Sequence, residues 1–283
     1  MRTKYINFGL IFILGFSSFS GNFLSSDIAR RIKKLQFFIS AEELFEECER
    51  NSPPEIYSGK KLPHGRWFYS GGVGKISFGE VRYLKGIRFD PPLEVVMKKS
   101  SGFFKHLIAS ILNEYWLKMG KIDARNVPYV LSYYNEFGYF YEYRPAGELG
   151  EDSPNGTPIM HRLREAGMDM WDVTDPDDAR IGKHYIFGPE FDPKTHRDGW
   201  LVDYEALHIN HNRFQEFLHK NAQEMKKVLG YKFELLMVAY NLLRFFDLSP
   251  EEKTQFQERF VELFSEYQKE IWKRILRERG IVP

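Results

Sequence analysis

A glycine-rich stretch is the first part of the sequence that could serve chemistry. Residues 71–81 read GGVGKISFGEV. Because glycine has no side chain, such a stretch permits a tight turn between two strands. Two interpretations fit this pattern: a plain β-hairpin, or a loop whose backbone amides close over phosphate groups.

A lysine and a glutamate further along the chain favour the phosphate interpretation. Lys98 follows the apolar run 95–97 on an expected strand, from which it could reach phosphate oxygens. Glu114 lies in the middle of the next expected helix. A lysine on a strand and a glutamate on the following helix can form the ion pair that positions the α- and β-phosphates of ATP.

With these residues in this order, the sequence resembles the protein kinase superfamily. Residues 77–81 resemble the second half of the kinase glycine loop, and residues 95–98 are similar to the strand-three lysine motif. Ile76 stands where the family has the middle glycine of the loop. The resemblance implies that ATP is contacted by Gly74, Ser77, Phe78, Gly79, Val81, Val96 and Lys98.

The segment YEYRPAGEL, residues 141–149, resembles the hinge between the two kinase lobes. The resemblance implies that backbone groups of Glu142, Tyr143 and Arg144 hold adenine, and that Glu148 binds ribose. Without the resemblance, the same residues are a strand followed by a Pro-Ala-Gly turn.

Residues 167–173, GMDMWDV, resemble the kinase catalytic loop, with Met-Trp in place of the usual His-Arg. The resemblance implies that Asp172 accepts the proton of the acceptor hydroxyl. Asp169 is a competing candidate for this base.

Residues 200–206, WLVDYEA, are expected to begin with an apolar strand that ends at Asp203. They resemble the second metal-binding motif of the family, with Asp-Tyr-Glu in place of Asp-Phe-Gly. The resemblance implies that Asp203 binds magnesium, together with Asp177 or Asp178 depending on one gap. Carboxylates suit this role because Mg²⁺ prefers hard oxygen ligands. The acidic variant also resembles small-molecule kinases of the same superfold.

Hydrophobic periodicity and turn residues predict the elements that position these groups. The expected strands are 66–70, 75–84, 93–99, 129–135 and 138–143, with a helix at 103–119 between the third and the fourth. Beyond Gly150 the chain is expected to be mostly helical, with helices at 212–229, 233–246 and from Ser249 to about 279. Two further helices are expected near the N-terminus, at 26–38 and 40–49.

The N-terminal residues predict an export signal. Arg2 and Lys4 precede the apolar run 8–16, and small residues follow from 17 to 21. This order is typical of a secretory signal peptide, with an uncleaved membrane anchor as the alternative. We therefore expect residues 1–21 to direct export or anchoring, so that the protein is secreted or membrane-anchored.

Composition indicates a globular protein without a nucleic-acid partner. The 283 residues carry 40 basic and 39 acidic side chains, and the basic residues form no run with interleaved aromatics. The single cysteine, Cys48, cannot form an intrachain disulfide. We expect an α+β, two-lobed fold with a helical extension at 22–65, a sheet lobe at 66–143 and a reduced helical lobe at 144–283.

The predicted function is an ATP- and Mg²⁺-dependent phosphotransferase that acts on a hydroxyl of an unidentified protein or small molecule. Three alternatives remain open at this stage. The first is a pseudokinase that binds a nucleotide or a partner, which the missing His-Arg favours. The second is a small-molecule kinase, and the third is a secreted helical protein in which the motif matches arise by chance.

Overall fold

The structure is a computed structural model. It describes residues 67–71, 74–84, 87–99, 102–134, 139–143, 148–149, 158–170, 185–187, 190–192, 194–202, 204, 206–244 and 247–281. The expected export segment and the two expected helices near the N-terminus lie outside these residues. Within the described ranges, no helix is both long enough and apolar enough to cross a membrane.

An antiparallel sheet of five strands forms the first half of the described chain. The strands are β1 (Trp67–Gly71), β2 (Gly74–Leu84), β3 (Ile87–Lys99), β4 (Tyr129–Tyr134) and β5 (Tyr139–Tyr143). Their order in the sheet is β1-β2-β3-β5-β4. All five strands were predicted, because their aromatic and β-branched residues are separated by turn residues.

Strand β3 begins earlier than the sequence indicated. The expected start was residue 93, because Pro91 and Pro92 cannot donate hydrogen bonds to a neighbouring strand. In the structure β3 already starts at Ile87, and the prolines fall where its pairing with β2 shifts register. A register shift leaves backbone groups unpaired, so it tolerates proline inside a strand.

Helix α1 (Phe103–Lys118) connects β3 to β4 and lies at the centre of the protein. Nearly all of its residues are buried, from Phe103 to Trp116. A helix that is apolar on most of its circumference must be covered on all sides. Elements from the sheet and from the second half of the chain cover it, and its predicted bounds are confirmed to within one residue.

The described residues of the second half form four more helices: α2 (Pro158–Glu165), α3 (His211–Leu229), α4 (Tyr231–Leu243) and α5 (Pro250–Glu278). The last three were predicted, although α4 ends three residues before the expected position. Ser249 begins α5 with a capping box, in which its side chain accepts from the backbone N–H of Glu252.

The described residues of the second half include five short strands, of which the sequence predicted only the one that precedes Asp203. They are β6 (Glu148–Leu149), β7 (Met168–Met170), β8 (Tyr185–Phe187), β9 (Gly199–Leu201) and β10 (Leu207–Ile209). Strands β6, β8 and β9 form one antiparallel sheet, and β7 pairs with β10 in another. Strands of two or three residues are too short for an alternating pattern to be visible in the sequence.

One hydrophobic core joins the sheet to the helices. It includes Leu93 and Val95 of β3, the apolar residues of α1 and the inner residues of α5. At its centre the rings of Phe103, Phe260 and Phe264 meet edge to face or stacked. The described chain is therefore an α+β protein of mostly helical content, as the sequence predicted.

Candidate functional site

The backbone register places several predicted nucleotide-binding residues in one row across three adjacent strands. Phe78 of β2 pairs with Val96 of β3, and Val96 pairs in turn with Glu142 of β5. Lys98 lies two residues beyond Val96 on the same strand and pairs with Phe140. The glycine-rich stretch, the lysine strand and the expected hinge are thus neighbours in the sheet.

The glycine-rich stretch forms a hairpin at one end of this sheet. Gly71 is the last residue of β1, Gly74 is the first of β2, and the two residues pair with each other. Ser77, three residues further on, pairs with Phe68 of β1 and with Met97 of β3. The predicted strand–turn–strand is therefore confirmed in its backbone, whereas phosphate binding stays a prediction.

A second row of backbone pairs connects the end of the expected hinge to the expected metal segment. Glu148 of β6 pairs with Phe187 of β8, and Phe187 pairs with Gly199 of β9. Strand β9 ends at Leu201, two residues before Asp203. Arg144, inside the expected hinge, lies outside the described residues.

The pairing of β7 with β10 fixes the points from which the chain continues towards two predicted acidic residues, Asp172 and Asp203. Met170, the last residue of β7, pairs with Leu207, the first residue of β10. Asp172 follows Met170 by two residues, and Asp203 precedes Leu207 by four. Both segments therefore join the ladder at the same end. Asp172 and Asp203 themselves lie outside the described residues, as do Asp177 and Asp178.

Glu114 is the predicted catalytic residue whose own side chain the structure describes. It is only 2% exposed, and both of its carboxylate oxygens accept hydrogen bonds from Nζ of Lys232, at 2.7 and 2.8 Å. Nζ of Lys118 lies 2.9 Å from the same carboxylate, and a guanidinium nitrogen of Arg274 lies 3.7 Å from it. Nζ of Lys232 also donates to Glu270 at 2.5 Å.

The charges around Glu114 keep it ionised in spite of its burial. Burial by itself raises the pKa of a carboxyl group, because it disfavours the charged form. The neighbouring Lys232, Lys118 and Arg274 outweigh that effect and lower the pKa of Glu114 to about 2. The carboxylate is therefore a fixed negative charge in the helical core.

The expected pairing of Glu114 with Lys98 stays a prediction, because the Lys98 side chain is outside the described part of the chain. The structure adds a partner that the sequence analysis missed. Lys232 is the only basic residue in α4, whose other residues are mostly apolar. A lone lysine on an apolar helix was the signal that could have predicted a buried partner carboxylate.

Tyr204, the neighbour of Asp203, is held against helix α1. Its ring stacks on the imidazole of His106, with centroids 4.0 Å apart and planes inclined by 7°. The Tyr204 hydroxyl donates to the backbone carbonyl of Leu201 at 2.5 Å, and Nε2 of His106 lies 3.0 Å from the carbonyl oxygen of Pro128. The chain on one side of Asp203 is therefore anchored to the core.

Asn126 holds the connection between β8 and β9. Its Nδ2 donates to the backbone carbonyls of His196 and Gly199, both at 2.9 Å. The backbone carbonyl of Asn126 accepts a hydrogen bond from the backbone N–H of Leu201 at 2.8 Å. His196 and Asp198 in this connection have positive φ angles of 54° and 60°, so the turn depends on such support.

No group of three or more His, Cys, Asp or Glu side chains in the described ranges could hold a metal ion. The carboxylates predicted to bind magnesium lie outside those ranges. In comparisons with known proteins, no protein-family model matches the chain, and no curated protein matches its sequence.

Proposed function

We propose that this protein is an ATP- and Mg²⁺-dependent phosphotransferase of the protein-kinase type, with a hydroxyl group as its acceptor. The observation that carries the proposal is the row Phe78–Val96–Glu142 across β2, β3 and β5. A glycine-rich hairpin, a lysine on the third strand and a helix after that strand are the parts with which kinases hold ATP phosphates. The strand order β1-β2-β3-β5-β4 brings the hairpin and the lysine strand into one sheet, and the helix follows that strand directly in the chain.

The two short sheets of the second half support the same proposal. Phosphoryl transfer depends mainly on positioning, so the base and the metal ligands must be close to each other. The β7–β10 ladder joins the segments of Asp172 and Asp203 at one end. The β6–β8–β9 sheet links the second segment to Glu148 at the end of the expected hinge.

In this proposal Lys98 binds the phosphates, and Asp172 accepts the proton of the acceptor hydroxyl. The acceptor oxygen forms a bond to the γ-phosphorus while the bond to the β-phosphate oxygen breaks, which yields ADP and a phosphorylated acceptor. Carboxylates of Asp203 and of Asp177 or Asp178 suit Mg²⁺, which neutralises phosphate charge when bound.

One observation favours a second candidate, a pseudokinase that binds a nucleotide or a partner without turnover. The carboxylate of Glu114 is buried and already accepts hydrogen bonds from Lys232. If Glu114 stays with Lys232, Lys98 lacks the partner that positions it for phosphate transfer in active kinases. The fold would then bind a nucleotide less productively.

Phosphate transfer from ATP by the full chain tests the proposal. It should be measured with Mg²⁺, with protein and small-molecule acceptors in separate reactions, and with a check for self-phosphorylation. The Asp203→Asn variant should lose activity by orders of magnitude, whereas Asp247→Asn, which changes an exposed aspartate elsewhere, should leave it unchanged. Equal activity of the wild type and Asp203→Asn would contradict the assignment.

Nucleotide binding separates the two candidates. If transfer is absent but ATP with Mg²⁺ raises the melting temperature, the pseudokinase is supported. If ATP neither reacts nor binds, both candidates are wrong.

We further propose that residues 1–21 direct export or anchor the protein to a membrane, from the order of charged, apolar and small residues alone. The mass of the mature protein tests this proposal. A mature N-terminus near Gly21 indicates a cleaved signal, an intact chain in the membrane fraction indicates an anchor, and an intact chain in the cytosol contradicts both.

A further inference from the structure

A cavity of about 290 Å³ lies beside the β7–β10 ladder. Arg164 at the end of α2, Asp169 of β7, His208 of β10 and Arg213 in the first turn of α3 line it. Asp169 and His208 are paired in the ladder, so the ladder forms one wall. Two separate segments, 164–169 and 208–213, thus bring ionisable side chains to one concave surface.

Gly167 allows these segments to approach each other. It has a positive φ of 80°, and a Cβ added there would lie 2.7 Å from Cβ of Arg213 and 2.9 Å from the backbone nitrogen of Phe214. Its carbonyl accepts a hydrogen bond from the backbone N–H of Asn210 at 2.8 Å. The backbone of Arg213 is therefore held directly against the residue that precedes β7.

Among the described residues that line the cavity, two arginines face one carboxylate, that of Asp169. Nε of Arg164 donates to Asp169 at 2.9 Å, and the Arg164 side chain is 21% exposed. Nη2 of Arg213 donates to the backbone carbonyl of Arg164 at 3.3 Å. Among the contacts of the described residues, Arg213 meets no carboxylate. Its remaining N–H groups suit a carboxylate or a phosphate, which a guanidinium binds with two parallel hydrogen bonds.

We propose that this cavity binds an anionic side chain of the acceptor, so that the substrate is an acidic polypeptide rather than a neutral one. The inference rests on the proposed function, because it concerns the acceptor of the same reaction. A carboxylate and a phosphate group on the acceptor share the chemistry that Arg213 recognises, and the experiment below distinguishes them.

The position of the cavity predicts where the acidic residue lies in the substrate. Asp169 precedes the proposed base Asp172 by three residues. Three residues of chain can span at most about 10 Å. An acceptor polypeptide has the same maximum length per residue, so its acidic side chain should lie within about three residues of the hydroxyl that receives the phosphate.

Peptide binding by the full chain tests the inference without requiring turnover. The probes are fluorescent peptides with one serine and, three residues away on both sides, glutamate, phosphoserine or glutamine. We expect the glutamate and phosphoserine peptides to bind roughly tenfold more tightly than the glutamine peptide, because each gains charge-assisted hydrogen bonds. The Arg213→Gln variant should lose this difference.

Two further variants test whether the preference for acidic peptides depends specifically on the Arg213 guanidinium. Lys220→Gln removes a positive charge from the exposed surface of the same helix and should retain the preference. Arg213→Lys keeps the charge but not the two parallel donors, so it should retain part of the preference. The melting temperature of each variant verifies that it is folded.

Three results would overturn the inference. The wild type could bind the acidic and glutamine peptides equally, Lys220→Gln could weaken binding as much as Arg213→Gln, or Arg213→Gln could keep the full preference. Phosphate transfer to the glutamine peptide reports on the proposed function alone. The experiments therefore distinguish an error in the proposed acidic-peptide site from an error in the proposed phosphotransferase activity.

Discussion

Glu114 and Lys232 form a buried ion pair that joins the central helix α1 to helix α4. Nζ of Lys232 lies 2.7 and 2.8 Å from the two carboxylate oxygens, and both residues are at most 2% exposed. The same Nζ donates to Glu270 of α5, so one ammonium group connects three helices. Such a cluster offsets its desolvation cost only while all partners are present.

Removal of Lys232 should therefore destabilise the folded protein far more than removal of an exposed cation. We expect Lys232→Met to lower the free energy of unfolding by about 3–5 kcal/mol, because it leaves Glu114 buried without its main partner. The double variant Glu114→Leu/Lys232→Met should lose less than the sum of the single changes. Urea unfolding of the wild type and the three variants measures this coupling.

The exposed pair of Arg259 and Glu234 is the control for this experiment. Its nitrogens and oxygens are also 2.7–2.9 Å apart, but its side chains are 46% and 50% exposed. Arg259→Met should cost at most about 1 kcal/mol, because water screens exposed charges. If Lys232→Met cost no more than Arg259→Met, the buried cluster would not be a stabilising feature.

Acid should destabilise the protein in part through Glu114. Its pKa in the folded protein, about 2, is below its ordinary value of 4.5, so its contribution to stability is present above pH 4.5 and disappears as the pH falls towards 2. We expect the melting-temperature difference between the wild type and Glu114→Gln to be constant above pH 5 and to shrink below pH 4.5. A difference that does not change with pH would contradict this role.

Gly167 should be intolerant of a side chain. Gly167→Ala would place Cβ within 3 Å of the backbone of α3, at a positive φ. Gly120 also has a positive φ, of 63°, but nothing lies within 4 Å of its added Cβ. We expect Gly120→Ala to cost about 1 kcal/mol of unfolding free energy from backbone strain, and Gly167→Ala about 2 kcal/mol more from overlap. Equal costs would show that the close approach is unimportant.

Asn126 should stabilise the β8–β9 connection locally. Asn126→Ala removes the side-chain donor to the carbonyls of His196 and Gly199, which we expect to cost about 2–3 kcal/mol. Hydrogen exchange should accelerate in residues 194–201. Asn221→Ala is the control, because Asn221 donates only to a carbonyl within its own helix. Unchanged hydrogen exchange in Asn126→Ala would show that the Asn126 side chain does not stabilise this connection.

Nucleotide binding should distinguish the roles of Lys98 and Glu114. If Glu114 stabilises the helical core, Glu114→Gln lowers the melting temperature but keeps the rise that ATP and Mg²⁺ produce. Lys98→Met should remove most of that rise while leaving the melting temperature without ATP nearly unchanged. If both variants lose the ATP response equally, Glu114 acts together with Lys98 instead.

Local pattern and turn chemistry were sufficient to predict much of the fold. Alternating and β-branched residues predicted the five strands, and apolar periodicity predicted α1, α3, α4 and α5. The serine, proline and two glutamates at 249–252 predicted the start of α5, because capping groups act within one turn of a helix. These features depend on interactions between residues close in sequence.

The short ladders and the buried charge cluster could not be predicted in this way. The β7–β10 and β8–β9 pairs join strands that are distant in the sequence, and strands of three residues contain no pattern that specifies their partner. Lys232, which binds both carboxylate oxygens of Glu114, is 118 residues away in the sequence. The sequence therefore indicated Glu114 as a candidate residue but did not indicate that Lys232 binds it.

The sequence by itself determined the identity and order of strands β1 to β5 and of helices α1, α3, α4 and α5, because helix periodicity, strand alternation and capping are local properties of the chain. The tertiary structure alone decided that Glu114 bonds to Lys232, that Tyr204 stacks on His106, and that Gly167 lies against Arg213. These contacts form only after distant segments pack around α1. Their energies depend on burial and on distances that no local pattern encodes.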